Sequence, residues 1–468
     1  MPDSWSIFRE AGVDLHLPVD RVRGKRRGIE RALRDAIREG RLNAGDRLPS
    51  TRSLAAELGT ARGTVAEAYG QLVAEGWLSA RQGAGTVVAD VAGDPPAASA
   101  PARGREPRFD FRPGTPDVSG FPRPLWVRAM RRAMTDAPDE TLRYDDPRGQ
   151  ARLREALAAY LARARGVRAD PDRIVVTSGF RQGLGLVCRA LAAEGVRRVA
   201  LEDHTVPTHR DVVAAAGVEP TAIPVDDRGA GVEGLDGAGA VVVTPAHQFP
   251  LGVTLAPGRR AGLVAWARAN GGFVVEDDYD GEFRYDRQPV GALQALDPDR
   301  VVYAGTASKT LAPGLRLAWL VLPQELVEPV AEQKEVADGG SSAPDQLALA
   351  TLIATNRLDR HLRGVRTRYR RRRDALVAAL AERAPALRLA GISAGLHAVV
   401  RLPRGGPGER ETLALAEERS LSFQTLGAFH HRGSRAGRGL VIGYGTPPEH
   451  GYGRALGELA AFLGQVHG

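Results

Sequence analysis

Beyond residue 109 the chain alternates short apolar runs with stretches of helical periodicity, and that alternation leaves few ways to fold. The runs fall at 174–177, 199–201, 240–243, 273–275, 301–303 and 317–321. Each is apolar nearly throughout rather than at every second residue. A strand of that kind is buried on both faces, so it lies inside a sheet with helices packed on either side. Helices that recur between such strands serve as crossovers between parallel neighbours. Residues 109–468 are therefore expected to form an α/β unit with a mainly parallel central sheet. Residues 345–385 read as wholly helical and contain Arg366-Thr-Arg-Tyr-Arg-Arg-Arg-Arg373, a basic run expected on an exposed helix face in preference to a non-specific DNA contact. No internal repeat is evident.

The first 90 residues follow a different pattern. Ile29, Leu33 and Ile37 recur every fourth residue, with Ala32 and Ala36 beside them, and define one apolar helix face. A short second helix is expected from about Thr51 to Leu58, stopping at Gly59. A third begins near Arg62, places Val65, Ala68, Tyr69, Leu72 and Val73 on one side, and ends at Gly76. Trp77-Leu78, the turn-rich Arg81-Gln-Gly-Ala-Gly85 and Thr86-Val-Val88 then spell a β-hairpin. Two short helices joined by a tight turn and followed by a hairpin make a winged helix-turn-helix, assigned to residues 20–90. Residues 91–108, dominated by Ala, Pro and Gly, are assigned to a semi-extended linker.

The 468-residue chain carries 64 Lys+Arg against 56 Asp+Glu, a net charge of +8. Residues 1–90 hold 14 basic and 12 acidic residues, a net of only +2, so a nucleic-acid partner has to be read from local arrangement. Arg62 and Thr64 open the third helix, the end that enters a major groove, where an arginine can contact guanine bidentately. Arg52, on the preceding helix, can grip phosphate. Gly83 lets the wing tip approach the DNA backbone, with Arg81 nearby. The single cysteine, Cys188, excludes an internal disulfide and is expected in a helix core. No metal-ligand set is assigned. The N-terminus lacks a basic segment followed by an apolar run, and no stretch reaches about 18 apolar residues, so a cytoplasmic protein is expected.

Lys309 lies in Ala304-Gly-Thr-Ala-Ser-Lys-Thr-Leu-Ala-Pro-Gly-Leu-Arg316, between two strand-like runs. A lysine held there is costly unless it is neutral or covalently used. Its small neighbours leave room for a flat ligand, and Arg316 offers a fixed positive fork for a phosphate. This is the layout needed to hold pyridoxal 5'-phosphate (PLP) as a Schiff base on Lys309.

Three resemblances extend these readings. Gly40-Arg-Leu, Pro49-Ser-Thr-Arg-Ser-Leu-Ala-Ala-Glu-Leu-Gly59, Arg62-Gly-Thr-Val65, Glu75-Gly-Trp-Leu78 and Gly83-Ala-Gly-Thr86 resemble the GntR type of winged helix. That resemblance implies double-stranded DNA as partner, with Arg52, Arg62, Thr64 and Gly83 in contact. Family members often carry a basic residue just after the Thr-Val pair, where this chain has Ala66.

Arg112-Pro-Gly-Thr-Pro116, Tyr144-Asp-Asp-Pro-Arg-Gly149, Thr177-Ser-Gly-Phe-Arg-Gln182, Val275-Glu-Asp-Asp-Tyr-Asp280 and the Lys309 segment, in that order, resemble the fold-type I aminotransferases. The resemblance implies that Asp277 pairs with the pyridine nitrogen and that Tyr279 donates to the ring's phenolic oxygen. Main-chain N–H groups of Gly179, Phe180 and Arg181 would hold the phosphate at a helix start. Thr306, Ser308 and Arg316 complete the set, and Tyr144 is implied to reach the cofactor phosphate of a partner subunit. The chain also departs from that pattern. Phe249-Pro-Leu-Gly252 stands where Asn-Pro-x-Gly is usual, Val206 where an aromatic stacks on the ring, with His204 as a possible substitute, and Arg438 is displaced by about one residue from the arginine that grips a substrate carboxylate.

The fusion of the two parts, with Thr244-Pro-Ala-His-Gln-Phe-Pro250, resembles the MocR family. It implies a head-to-tail homodimer and a transcriptional regulator whose aminotransferase-like unit senses an amine, an amino acid or PLP rather than turning substrate over. Two other readings stay open: a working aminotransferase with an appended DNA-binding domain, and a DNA-binding protein with an inert fold.

Overall fold

The computed structural model describes residues 24–81, 85–90, 106–144, 146–286, 290–431 and 438–467. The chain divides into two compact units, Met1–Glu106 and Pro107–Gly468. Most of the expected linker, residues 91–105, lies outside the described residues.

In the first unit the apolar periodicity becomes three helices, α1 (Lys25–Arg38), α2 (Thr51–Glu57) and α3 (Arg62–Ala74), followed by strands β1 (Leu78–Arg81) and β2 (Gly85–Val88). Ile29 and Leu33 of α1, Leu54 of α2, Val65 and Leu72 of α3 and Leu78 of β1 close one core, each at most 2% exposed. Ser50 starts α2 by accepting a hydrogen bond from the Ser53 N–H at 3.1 Å, a standard N-cap. The Tyr69 hydroxyl of α3 donates to the Pro49 carbonyl at 3.0 Å and ties α3 to the chain entering α2. The strands pair antiparallel, with Leu78 opposite Val88 and Arg81 opposite Gly85.

The second unit is built on a seven-stranded sheet in the order Ile174–Thr177, Ala318–Val321, Val301–Thr306, Phe273–Asp277, Ala240–Val243, Arg198–Glu202, Glu219–Ile223. Ala318–Val321 runs antiparallel to both of its neighbours, and the four pairings from Val301–Thr306 to Glu219–Ile223 are parallel. Alternate residues serve opposite layers. Val175, Val242, Val275, Val302 and Leu320 pack with Leu184, Val187 and Leu191 of the helix Phe180–Ala193 on one side, while Val241, Val274 and Val301 meet Leu263 and Val264 of Pro257–Asn270 on the other. Cys188 is buried in the first of these layers. A smaller antiparallel sheet, ordered Arg388–Ala390, Ala398–Arg401, Gly439–Ile442, Gln424–Thr425, completes the unit.

Three features differ from the sequence reading. The strand Glu219–Ile223 carries no continuous apolar run, because it is a half-buried edge strand and includes Pro220. The stretch 345–385 is two helices, Ala343–Ala354 and Arg357–Arg383, interrupted where Asn356 adopts a left-handed φ of 54°. The basic run is not simply an exposed face. Tyr369 and Arg372 are buried, and the Arg372 guanidinium bonds Asp117 Oδ2 (3.0 Å), Glu449 Oε2 (2.7 Å) and the Pro447 carbonyl (2.8 Å). Arg372 therefore ties residues 447–449, just ahead of the C-terminal helix Tyr452–His467, and the residue 117 turn onto Arg357–Arg383.

Removing one member of a buried ion pair strands the other. Arg372→Ala is expected to destabilise the second unit by about 3–5 kcal/mol, whereas Arg370→Ala on the exposed face should change stability by less than about 0.5 kcal/mol. Thermal unfolding of the two variants side by side checks this, and equal effects would refute the structural role of Arg372.

Candidate functional site

The parallel strands deliver their carboxyl ends to one edge of the sheet. Thr177, Glu202, Asp277 and Thr306 are the last residues of their strands, and Thr244 directly follows Ala240–Val243. Open α/β sheets bind ligands at this edge. A cavity of about 510 Å³ lies there, lined by Gly179, Phe180, Arg181, Asp277, Tyr279, Thr306, Ser308, Lys309 and Arg316 among others. Of the ten residues put forward for the cofactor, the fold brings these nine together. Tyr144 is not among them; it is fully exposed on the rim of a separate cavity with Leu142 and Asp146.

One end of the cavity is shaped to receive an anion. The helix Phe180–Ala193 begins at Gly179, whose φ is +141°. A Cβ built on Gly179 would lie 2.8 Å from Arg316 Nη2, so the guanidinium rests against a backbone that only glycine allows. Arg316 itself sits in the left-handed region at φ 53°. The N–H of Ser308 donates to Thr306 Oγ1 at 3.1 Å, which fixes the turn before Lys309. Phe180 packs on His209 with ring centroids 4.9 Å apart, and burial pushes His209 down to about 4, leaving it neutral.

Lys309 is half-buried and its Nζ donates to the Gly114 carbonyl. Burial lowers its pKa from the ordinary lysine value, against the attraction of Asp277 and Asp280. The Asp277 carboxylate is 7% exposed and finds no hydrogen-bond donor among the described residues; burial pushes its pKa well up, against the pull of Lys309. The next residue points the other way. Asp278 accepts two bonds from Arg165, at 2.6 and 2.9 Å, and a third from the Tyr303 hydroxyl at 2.8 Å. Tyr279 returns to the cavity, where its hydroxyl donates to the His247 carbonyl at 3.0 Å, so its proton is already engaged. Asp280 accepts from His247 Nδ1 at 2.8 Å.

Several supports were not visible in the sequence. Glu202 accepts from Thr244 Oγ1 (2.6 Å) and N–H (3.3 Å) and from Gln248 Nε2 (3.0 Å). Gln248 also takes the Leu251 N–H at 3.0 Å, which holds the loop around the cis Phe249–Pro250 bond. The loop places Phe249 in the cavity wall, edge-on to Phe429 at 4.9 Å. A polar residue at each strand's carboxyl end was the available signal for Glu202 and Thr244. His204 does not line the cavity: its Nδ1 bonds Asp203 at 2.7 Å and its ring meets His430 at 4.7 Å. Val206 and His209 line the wall instead. Arg438 is spent on main-chain carbonyls, bonding those of Arg404 (2.8 Å) and Pro407 (2.7 Å).

In the first unit, Arg52 and Arg62 are exposed on α2 and at the start of α3, and Arg62 Nε reaches Thr51 Oγ1 at 3.4 Å. Thr64 is half-buried two positions further into α3. No side chain caps the N-terminus of α3, so its first N–H groups stay available to an anion. Arg81 ends β1. Gly83 lies outside the described residues.

Comparisons with known proteins bear on both units. The family profile "Bacterial regulatory proteins, gntR family" matches residues 25–88, and "Aminotransferase class I and II" matches residues 114–418. The HTH-type pyridoxine biosynthesis transcriptional regulator PdxR of Corynebacterium glutamicum is 33% identical over 92% of this chain and 93% of its own length. The probable rhizopine catabolism regulatory protein MocR of Rhizobium meliloti is 32% identical over 94% and 91%. The chain belongs to the MocR family. It joins a GntR-type helix-turn-helix unit to an aminotransferase-like unit, as HTH-type transcriptional regulators of this family do. Among solved structures, the kynurenine aminotransferase of Pyrococcus horikoshii matches with a TM-score of 0.68 and 26% identity over 76% of this chain and 91% of that one. The fold of the second unit is therefore that of the PLP-dependent fold-type I aminotransferases.

Burial pushes the Glu202 carboxyl up to about 7 from 4.5. An acid raised in the folded state holds its proton more tightly there than in the unfolded chain. Its contribution to stability is then complete below about pH 4.5 and is lost as pH rises to about 7. Thermal unfolding of Glu202→Gln across this range should show a shallower loss of stability with rising pH than the parent protein; parallel curves would contradict the assignment.

Proposed function

We propose that this MocR-family regulator holds PLP on Lys309 and that its aminotransferase-like unit reports an amine, an amino acid or PLP itself to a DNA-bound winged helix. The observation that carries the reading is the convergence of Lys309, Asp277 and the Gly179–Arg316 cradle on one cavity. The residues fit the cofactor. Asp277 is a buried carboxylate with no donor of its own among the described residues, and a pyridine nitrogen that carries a proton would satisfy it. The amides opening Phe180–Ala193 and the Arg316 guanidinium are donors suited to a phosphate. Thr306 and Ser308 position the lysine, whose lowered pKa makes its neutral, nucleophilic form more accessible. Tyr279, with its proton engaged by His247, offers an acceptor lone pair to the cavity. When bound, PLP would supply an aldehyde that condenses with primary amines and a ring that withdraws electrons.

We take Arg52, Arg62, Thr64, Arg81 and Gly83 as the DNA contacts, with Arg62 entering the major groove. A homodimer is part of the proposal: the exposed Leu142 (60%) and fully exposed Tyr144 support a second copy covering that face. No helix among the described residues is long and apolar enough to cross a membrane, and we place the protein in the cytoplasm with its DNA. The bonds that Arg438 makes to main-chain carbonyls favour sensing over sustained amino transfer.

Incubation with PLP followed by borohydride reduction and peptide mapping should place one added cofactor mass on Lys309, and none on Lys309→Ala. Gly179→Ala should load weakly, because its Cβ would displace Arg316. Absence of any mass gain in the parent protein would sink the proposal. Independently, Arg62→Ala should weaken binding to the promoter fragment roughly 5- to 150-fold and relax its sequence preference. An unchanged gel shift would remove Arg62 from the interface.

A further inference from the structure

The cavity has two unlike walls. Its cations, Lys309, Arg181 and Arg316, come from the strand ends and the helix Phe180–Ala193. The second wall comes from the smaller sheet and its connections: Leu396, His397, Gln424 and Phe429. Among the described lining residues this wall carries no cation.

His397 is the residue on that wall whose chemistry is most constrained. It is 5% exposed, and its Nε2 lies 3.1 Å from the carbonyl oxygen of Pro250. A carbonyl oxygen can only accept, so Nε2 carries the proton. The ring packs against Phe249 at 5.0 Å and His247 at 5.1 Å. Burial, reinforced by His247, pushes its pKa down to about 3, so the ring is neutral at any ordinary pH. Nδ1 is then an unprotonated lone pair. His247, the nearest candidate donor, gives its own Nδ1 proton to Asp280. No described residue donates to His397 Nδ1, and it is not among the buried atoms closed off without a partner.

We propose that His397 selects the effector: its Nδ1 accepts a hydrogen bond from the molecule in the cavity, so the site favours an amine with a second hydrogen-bond donor over an amine with a carboxylate. The second donor can be a hydroxyl, an amide N–H or another ammonium group. The inference rests on the proposed function, because it takes the first amine to be met beside Lys309. A carboxylate placed against Nδ1 meets one lone pair with another and surrenders its hydration without a donor in return. An ammonium or hydroxyl gains a hydrogen bond that the protein leaves open.

The test uses the full-length protein loaded with PLP, titrated with four amines of similar length. These are 4-aminobutan-1-ol, butane-1,4-diamine, butylamine and 4-aminobutanoate, followed by intrinsic fluorescence and by thermal shift. The amino alcohol and the diamine should bind about tenfold more tightly than butylamine or 4-aminobutanoate. His397→Phe keeps a flat ring but removes the acceptor, and should abolish that preference while leaving butylamine unchanged. His397→Gln, which can still donate to Pro250 and accept from a ligand, should restore part of it. A parent protein that prefers 4-aminobutanoate, or a His397→Phe variant with the same affinity ratios, overturns the proposal. Cofactor loading is measured on the same samples by borohydride trapping. Normal loading with no effect of His397 defeats this inference alone, whereas no loading of the parent protein defeats the underlying reading as well.

Discussion

The site depends on one buried ion pair. Arg165 and Asp278 are each 1% exposed at their side chains, joined by two bonds of 2.6 and 2.9 Å. Two isolated charges at that depth would be strongly destabilising, and the pair survives because its remaining capacity is used. Arg165 also donates to the Gly281 carbonyl at 3.1 Å, and the Tyr303 hydroxyl donates to Asp278 at 2.8 Å. Arg165 ends the helix Ala151–Arg165, and Tyr303 lies within the strand Val301–Thr306. The pair therefore clamps a helix, a strand and a turn together at the carboxyl edge of the sheet.

That clamp sets the direction of every acid around it. With Asp278 turned toward Arg165, the alternation of a strand end sends Asp277 and Tyr279 to the cavity. Asp280 is then delivered to His247, and His247 in turn holds the Tyr279 hydroxyl through its carbonyl. A second buried acid, Glu202, does the same for the neighbouring loop by gathering Thr244 and Gln248. Five carboxyl groups, those of Glu202 and residues 276–278 and 280, thus crowd one edge, and each has a different task. Only Asp277 is left without a donor from the described protein, and it is the one that faces Lys309.

What the sequence discloses follows the range of the interactions involved. The winged helix is legible nearly to the residue, because its helices are set by apolar spacing and by the stop at Gly59, both local. The buried strands are legible for the same reason, and so is Lys309, placed between two of them. The edge strand Glu219–Ile223 escapes because half-burial erases the apolar run. Arg372 and Arg438 escape for a different cause. Each is an ordinary polar residue whose role is chosen by partners far along the chain: Asp117 lies 255 residues from Arg372, and Arg404 lies 34 from Arg438. Asp278 shows the limit most plainly. The resemblance singles out Asp277 for the cavity, but nothing in Glu276-Asp-Asp-Tyr-Asp280 tells that Asp278 meets Arg165, 113 residues away.

The same distinction bears on how an aminotransferase fold can serve regulation. Holding a flat anionic ligand needs the glycine start of a helix, a fixed guanidinium, a buried acid and a lysine, and these are set by the sheet itself. Gripping a substrate carboxylate needs a cation on the smaller sheet's wall, which belongs to loops and can be redirected by small changes. Here Arg438 turns back to cap carbonyls of its own neighbourhood, and the wall is left to His397, Gln424 and aromatic rings. The scaffold is set by packing, whereas the lining of this wall depends on a few side chains that packing does not fix. A fold of this kind can exchange turnover for recognition without any change in its core.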